Sequence, residues 1–400
     1  MKLKVLARTA LIRVMYTRTA ASRRWRHDGE VERILVIRPD HLGDLLFATP
    51  ALSRLRRAFP DAYINGLAGP WGRAMWEDNP CLDSLDTLPF PGIGGHRKGG
   101  RLRPYTLLGK AAGRTARERY DLGIVLRFDH WWGAAMLWAS GVPRRWGYRT
   151  PGMGSWLTNA VPYVPGRHEV EQDLRLVEAV IGQLAPPAVV THLEPLRIDR
   201  EKGEPPLLPP RPSPAPGLPA GWLEAPRRVV IHPGTGAANK LWTIDGWAEV
   251  ASKLGAEGWS VALTGSPAER RLVGAIESAC SGAGKPFNLA GRTSGLGQLA
   301  WVLDQAHIVL GVDSGPLHVA SALGKPTLHL YGPSDETIWG PWGDPCKHRA
   351  FRAPGTRPTQ LLDLASRDLE GGPDMRAITP EMVMGEIRAL QAAMAADTHG

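Results

Sequence analysis

Cysteine is scarce and scattered. The 400-residue chain holds three, Cys81, Cys280 and Cys346, far apart and without metal-ligand spacing. That pattern excludes a disulfide framework and a cysteine-built zinc site, and it suits a reducing compartment. Nowhere do roughly eighteen uncharged apolar residues follow one another, so no membrane-spanning helix is expected. No P-loop and no GxGxxG turn follows an apolar run, which disfavours a nicotinamide-dependent dehydrogenase. No internal repeat is evident.

Acid is missing from the start of the chain. Lys2, Lys4, Arg8, Arg13, Arg18, Arg23, Arg24 and Arg26 all precede the first acidic residue, Asp28, and account for much of the net charge of +9. Leu3, Val5, Leu6, Leu11, Ile12, Val14, Met15 and Tyr16 are interspersed, but Arg8 and Arg13 interrupt what would be the apolar core of a signal peptide. Two readings of residues 1–30 stand: a disordered leader, or a segment that lies on an anionic membrane face. Nucleic acid is not an expected partner, because no recognition motif accompanies the charge.

What is present is the composition of a globular protein, 43% hydrophobic and 22% charged. Its length suits two domains of moderate size. From Arg33 onward, short apolar runs alternate with helical patterns, which predicts an α/β fold with parallel sheets. The runs in the first half are Ile34–Ile37, Tyr63–Leu67 and Leu122–Leu126. Eight prolines between residues 204 and 219 read as a semi-rigid linker. The alternation then restarts at Val229–His232, Ser260–Thr264, Ile308–Leu310 and Thr327–Tyr331. Near the end, Thr379-Pro380-Glu381 opens a helix whose apolar face would use Met382, Val383, Ile387, Leu390 and Met394.

Chemistry-bearing residues gather where these strands end. Arg38-Pro39-Asp40-His41-Leu42-Gly43-Asp44 follows the first run. Gly43 would allow a tight turn, and Asp44 would enter the first turn of a helix. Asp44 is either a plain capping residue or a carboxylate poised to accept a proton. His232-Pro233-Gly234-Thr235-Gly236-Ala237-Ala238-Asn239-Lys240 offers glycines, a hydroxyl and a lysine, a plausible phosphate cradle. In Thr264-Gly265-Ser266-Pro267-Ala268-Glu269 the acid either caps the turn or meets ribose hydroxyls. Asp313-Ser314-Gly315-Pro316-Leu317-His318 lies between a strand and a helix, and is either a tight turn with a plain capped helix or an anion site favoured by free N–H groups and the helix dipole.

These pieces, taken in order, resemble glycosyltransferase family 9, whose best-known members are lipopolysaccharide heptosyltransferases. The resemblance runs through Ile37-Arg38…Gly43-Asp44…Thr49-Pro50-Ala51-Leu52, Tyr120-Asp121-Leu122…Arg127 and Arg144–Arg149. It continues through Pro233-Gly234…Lys240-Leu241-Trp242, Leu289–Ser294, Asp313–His318 and Tyr331–Ser334. It implies a GT-B architecture of two Rossmann-like domains facing across a cleft. The expected plan is a leader (1–30), an acceptor-binding domain (31–200), the linker (201–226), a nucleotide-sugar-binding domain (227–378) and a C-terminal helix (379–396) packing back toward the first domain.

The resemblance further implies an inverting, metal-independent transfer that needs no cofactor, in keeping with the lack of an Asp-x-Asp motif. Asp44 becomes the general base and Lys240 neutralises the leaving group. Thr235, Gly236, Glu269, Ser294, Asp313, Ser314, Gly315 and His318 would hold the donor, with ADP-heptose the expected one. Arg38 and Gly43 would face the acceptor, a lipid-linked or other cell-envelope glycan. Arg97 and Arg101, with Lys98 and Arg103, either meet an anionic acceptor or form a solvated loop. The protein would work in the cytoplasm, free or at the inner face of the membrane. Gly236-Ala237-Ala238 stands where some heptosyltransferases carry a second hydroxyl, so another nucleotide sugar stays open, as does a catalytically silent donor-binding homologue. Trp71, Trp76, Trp131, Trp132 and Trp138 are expected as packing residues more than as sugar platforms.

Overall fold

Both halves of the chain build the same kind of sheet. The computed structural model describes residues 2–23, 29–93, 103–282, 284–359 and 371–397, and these fall into two units divided between Leu196 and Arg197. The first unit holds β1 (Arg33–Arg38), β2 (Tyr63–Ala68), β3 (Ser84–Thr87), β4 (Leu122–Val125), β5 (Arg144–Tyr148) and β6 (Asn159–Val161), in the order β3-β2-β1-β4-β5-β6. The second holds β7 (Arg228–His232), β8 (Ser260–Leu263), β9 (Phe287–Asn288), β10 (Ile308–Val312), β11 (Thr327–Tyr331) and β12 (His348–Arg352), in the order β12-β11-β10-β7-β8-β9. All pairings are parallel. Counted from its own first strand, each sheet therefore has the Rossmann order 3-2-1-4-5-6. The order reverses between β1 and β4 and again between β7 and β10. Ligands bind outside the carboxyl ends of strands at such reversals.

The central strands are buried on both faces, as near-continuous aliphatic runs require. β4 and β10 are buried along their whole length, and β1 is buried from Ile34 on. Gly311 in β10 is needed for a close approach: a Cβ there would lie 2.4 Å from Leu317 Cδ2 and 2.5 Å from the His232 carbonyl oxygen. The missing side chain lets the following helix (Gly315–Ala322) fold down onto the ends of β7 and β10.

The helix that follows β1, Leu42–Phe47, is too short to be stable by itself. It is held by packing. Leu45, Leu46 and Phe47 are buried, each contributing about 1.5–3 kcal/mol on the usual scale. Trp76 Nε1 donates to the Leu45 carbonyl at 2.8 Å, and Trp71 Nε1 donates to the Asp40 carbonyl at 2.9 Å. Gly43 lies inside this helix and not in the turn before it, which is made by Pro39–His41.

The basic N-terminal segment forms a helix, Lys2–Arg23. It docks on the first unit through Ile12, which is fully buried, and Tyr16, whose hydroxyl donates to the Tyr105 carbonyl at 2.7 Å. The Arg8 guanidinium lies 3.7 Å over the Trp131 ring. Of the singled-out tryptophans, Trp76 and Trp132 are buried in the core and Trp138 packs against Trp156.

The proline-rich stretch belongs to the second unit and lies along it. Ser213 N–H donates to the Gly297 carbonyl at 3.0 Å, Trp342 Nε1 donates to the Pro205 carbonyl at 3.0 Å, and Leu207 and Ala215 are buried. Prolines cannot donate, so this extended strap is fixed by its few non-proline N–H groups and by donors from its neighbours. The final helix, Pro380–Asp397, is capped by Thr379 Oγ1, which accepts from Met382 N–H at 3.3 Å. It buries Val383, Met384, Ile387 and Leu390 in the core of the second unit. Met382 faces solvent instead, and Met384 takes the inward position.

Candidate active site

At the reversal point of the first sheet, one guanidinium organises four carboxyl groups. Arg38 ends β1 and is 1% exposed. Its Nε lies 2.8 Å from Asp40, its Nη1 2.9 Å from Asp173, and its Nη2 2.9 Å from Glu169. Nη1 also donates to the Leu126 carbonyl at 2.8 Å. Asp44 comes last, with Oδ1 3.8 Å from Nη2. Arg127, just past β4, pairs with the other oxygen of Asp40 and with Asp129 at 2.5 Å. Two cations thus face Asp40, Asp44, Asp129, Glu169 and Asp173, and these cannot all ionise easily.

Asp44 and Asp173 share that strain. Burial pushes the Asp44 carboxyl up, the nearby charges of Asp40 and Glu169 add to the rise, and Arg38 and Arg127 offset only part of it, leaving it at about 7. Its side chain remains 26% exposed, so a ligand can reach it. Burial likewise raises Asp173 well above the carboxylate range despite Arg38, and Tyr148 donates to it at 3.1 Å. Asp40 goes the other way: burial alone would raise it, but Arg127 and Arg38 hold it below the ordinary value. The result is a carboxyl that titrates near neutrality beside others that do not.

At the reversal point of the second sheet, the centre is Asp313, just past β10. Its Oδ2 receives Lys240 Nζ at 2.9 Å, its Oδ1 lies 3.4 Å from His318 Nε2, and its carbonyl accepts from Thr235 Oγ1 at 3.1 Å. Burial would raise Asp313, yet Lys240 and His318 hold it far below the carboxylate range. Ser314 Oγ is buried with no hydrogen-bond partner among the described residues. Beside it the helix Gly315–Ala322 begins, with Ser314 as its extended N-cap and Pro316 in the first turn. Lysine, hydroxyls and a helix start thus converge at one strand edge, an arrangement suited to a phosphate group.

The structure brings together most of the residues singled out from sequence and separates some. Asp313, Ser314, Gly315, His318, Thr235 and Lys240 share the second cluster. Gly236, next to Thr235, is exposed. Glu269 does not point freely outward. Its carboxylate accepts from Ser266 N–H at 2.6 Å in a capping box and lies against Gly234. Ser294 is exposed, its N–H donating to Gln298 at 2.8 Å. Arg38 is not an acceptor contact, because its guanidinium is buried and committed to its own carboxylates. Arg97, Lys98 and Arg101 lie outside the described residues. Glu169 and Asp173 escaped the sequence reading, although a signal was there. They sit four apart on the buried stripe of the helix Glu169–Leu184, in phase with Leu176 and Val180, where acids are out of place.

The chain is similar to known proteins over most of its length. Glycosyltransferase family 9 (heptosyltransferase) matches residues 110–355 of the chain. Lipopolysaccharide heptosyltransferase 2 of Escherichia coli strain K12 is 28% identical over 376 residues, covering 90% of this chain and 98% of that protein. Lipopolysaccharide heptosyltransferase 3 of the same strain is 28% identical over 310 residues, covering 75% and 82%. Among solved structures, the E. coli ADP-heptose lps heptosyltransferase II superposes with a TM-score of 0.65 at 23% identity, over 91% of this chain and 99% of that one. That likeness concerns the fold, which is of the GT-B type.

Proposed function

The chain belongs to glycosyltransferase family 9 and is a glycosyltransferase, and on that premise we propose that it transfers heptose from ADP-heptose to a lipopolysaccharide-core acceptor with inversion at the anomeric carbon. Both named relatives are lipopolysaccharide heptosyltransferases by name, and the donor follows the solved neighbour, whose description names ADP-heptose. The observation that carries the reading is Asp44: a reachable carboxyl in the first turn of the helix after β1, held at about 7, suited to take a proton from an attacking hydroxyl.

In this reading Asp44 accepts the acceptor hydroxyl proton as the oxygen forms its bond to the anomeric carbon. The bond from that carbon to the diphosphate oxygen breaks on the opposite side, and ADP departs with the electron pair. The sugar passes through an oxocarbenium-like state, as in glycoside hydrolysis. Lys240, Thr235, Ser314 and the Gly315 helix start receive the growing negative charge. Lys240 Nζ has three donors, so it can keep Asp313 and still reach a phosphate oxygen. Asp313 and His318 stand behind it as positioning residues, and Arg38 does the same for Asp44.

Titrating the protein calorimetrically with ADP-heptose, other ADP-sugars and UDP-sugars tests the donor. Saturation with ADP-heptose at about a hundred times its Kd should stabilise the fold by about 2.7 kcal/mol. A response confined to a different nucleotide sugar overturns the heptose assignment.

A further inference from the structure

Large apolar side chains are exposed at Leu6, Leu11, Val14, Met15, Val190, Ile198 and Met382 among the described residues, and the first four share one helix, Lys2–Arg23. A helix resting on a domain normally turns its apolar stripe inward and polar residues outward. Here the inward stripe is Thr9, Ile12 and Tyr16. The opposite side carries Leu11, Val14 and Met15 at i, i+3 and i+4, flanked by Leu6 and Ala10. Val14 is 84% exposed. This helix therefore has two apolar faces, and the first unit covers only one.

The helix sequence carries charge of one sign. It includes Lys2, Lys4, Arg8, Arg13, Arg18 and Arg23 and no acidic residue. The neighbouring helix Arg103–Arg117 also lacks acids and adds Arg103, Lys110, Arg114 and Arg117, all exposed and without an ion-pair partner among the described residues. A second copy of the chain would set cation against cation. A polyanion alone would leave the aliphatic stripe in water. An anionic lipid surface satisfies both, since aliphatic side chains enter at headgroup depth while cations meet lipid phosphates.

We propose that the outer face of the Lys2–Arg23 helix, with the exposed cations of Arg103–Arg117 beside it, docks the first unit on an anionic lipid bilayer. This goes beyond the transfer reaction and is independent of the donor's identity. No helix among the described residues is long and apolar enough to cross a membrane, so the contact is interfacial and reversible.

Flotation of the full chain with phosphatidylethanolamine–phosphatidylglycerol vesicles, and with phosphatidylcholine alone, tests it. The wild type should float with the anionic vesicles, stay behind with the neutral ones, and detach as salt shortens the Debye length. The triple variant Leu11→Ser, Val14→Ser, Met15→Ser should partition about tenfold or more weakly with an unchanged melting temperature. Lys110→Glu with Arg114→Glu should weaken binding to anionic vesicles without touching the aliphatic stripe. The proposal is overturned if the wild type ignores anionic vesicles, or if both variants float like the wild type. It is equally overturned if light scattering shows the stripe joining two copies of the chain in place of binding lipid.

Discussion

Arg38 Nη2 stands 3.8 Å from Asp44 Oδ1, while the same guanidinium holds Asp173 and Glu169 at 2.9 Å. Asp44 is thus close enough to be oriented and too far to be fully neutralised. A fully paired carboxylate would be a poor base near neutral pH. The spacing keeps this one titratable where a base is useful.

The first prediction concerns pH. If Asp44 is the base, kcat/KM rises with pH through an ascending limb near 7. Burial is the larger cause of the raised value and the Asp40 charge the next, so Asp40→Asn should move the limb to lower pH. A pH–rate profile of the two proteins checks this, and identical limbs would remove Asp40 from the account.

The same group makes a stability prediction. Unfolded Asp44 loses its proton near 3.8 and the folded group near 7. Between those values the folded state binds more protons, so its contribution to stability falls as pH rises across that window and is flat above it. Asp44→Asn should therefore melt higher than wild type at pH about 8, with the difference closing below pH about 4. Thermal melts across pH would show it.

Arg38 is predicted to act through structure. Arg38→Met leaves Glu169 buried without its cation, a change that costs about 3–5 kcal/mol when one partner of a buried pair is lost. Chemical denaturation should report a loss of that size. A loss under about 1 kcal/mol, that of an exposed pair, would contradict it.

In the second unit, Lys240→Ala should weaken donor binding more than His318→Ala. A hydrogen bond to a charged group is worth about 1.5–3 kcal/mol, roughly ten- to a hundredfold in Kd. His318 meets Asp313 at 3.4 Å, so in this account its removal acts by loosening Lys240. Glu269→Gln should change donor affinity least, because Glu269 caps its own turn. Calorimetric titration of the three variants ranks them.

Much of this was legible from residues alone. Ile34–Ile37 and Ile308–Leu310 announce buried parallel strands because the buried runs are aliphatic throughout, and the strand-end motifs then fall at the reversal points. Strands such as Arg144–Tyr148 and His348–Arg352 carry arginines and aromatics, so neither a period of two nor an aliphatic run marks them. The Arg38 hub was hidden for another reason: Glu169 and Asp173 come over a hundred residues later, and only the fold makes them neighbours. Glu269 was ambiguous in sequence, since a capping acid and a ligand acid follow the same turn. The proline-rich stretch reads as a linker because composition reports stiffness and says nothing of which donors will fix it.

The central claim is that Asp44 removes the acceptor proton in transfer from ADP-heptose. Its most direct test is heptosyl transfer to a lipopolysaccharide-core acceptor by the wild type and Asp44→Asn, with donor Kd measured on both. The account predicts transfer by the wild type, a loss of about a hundredfold or more in kcat for the variant, and the same donor Kd. Transfer by Asp44→Asn at the wild-type rate would contradict it.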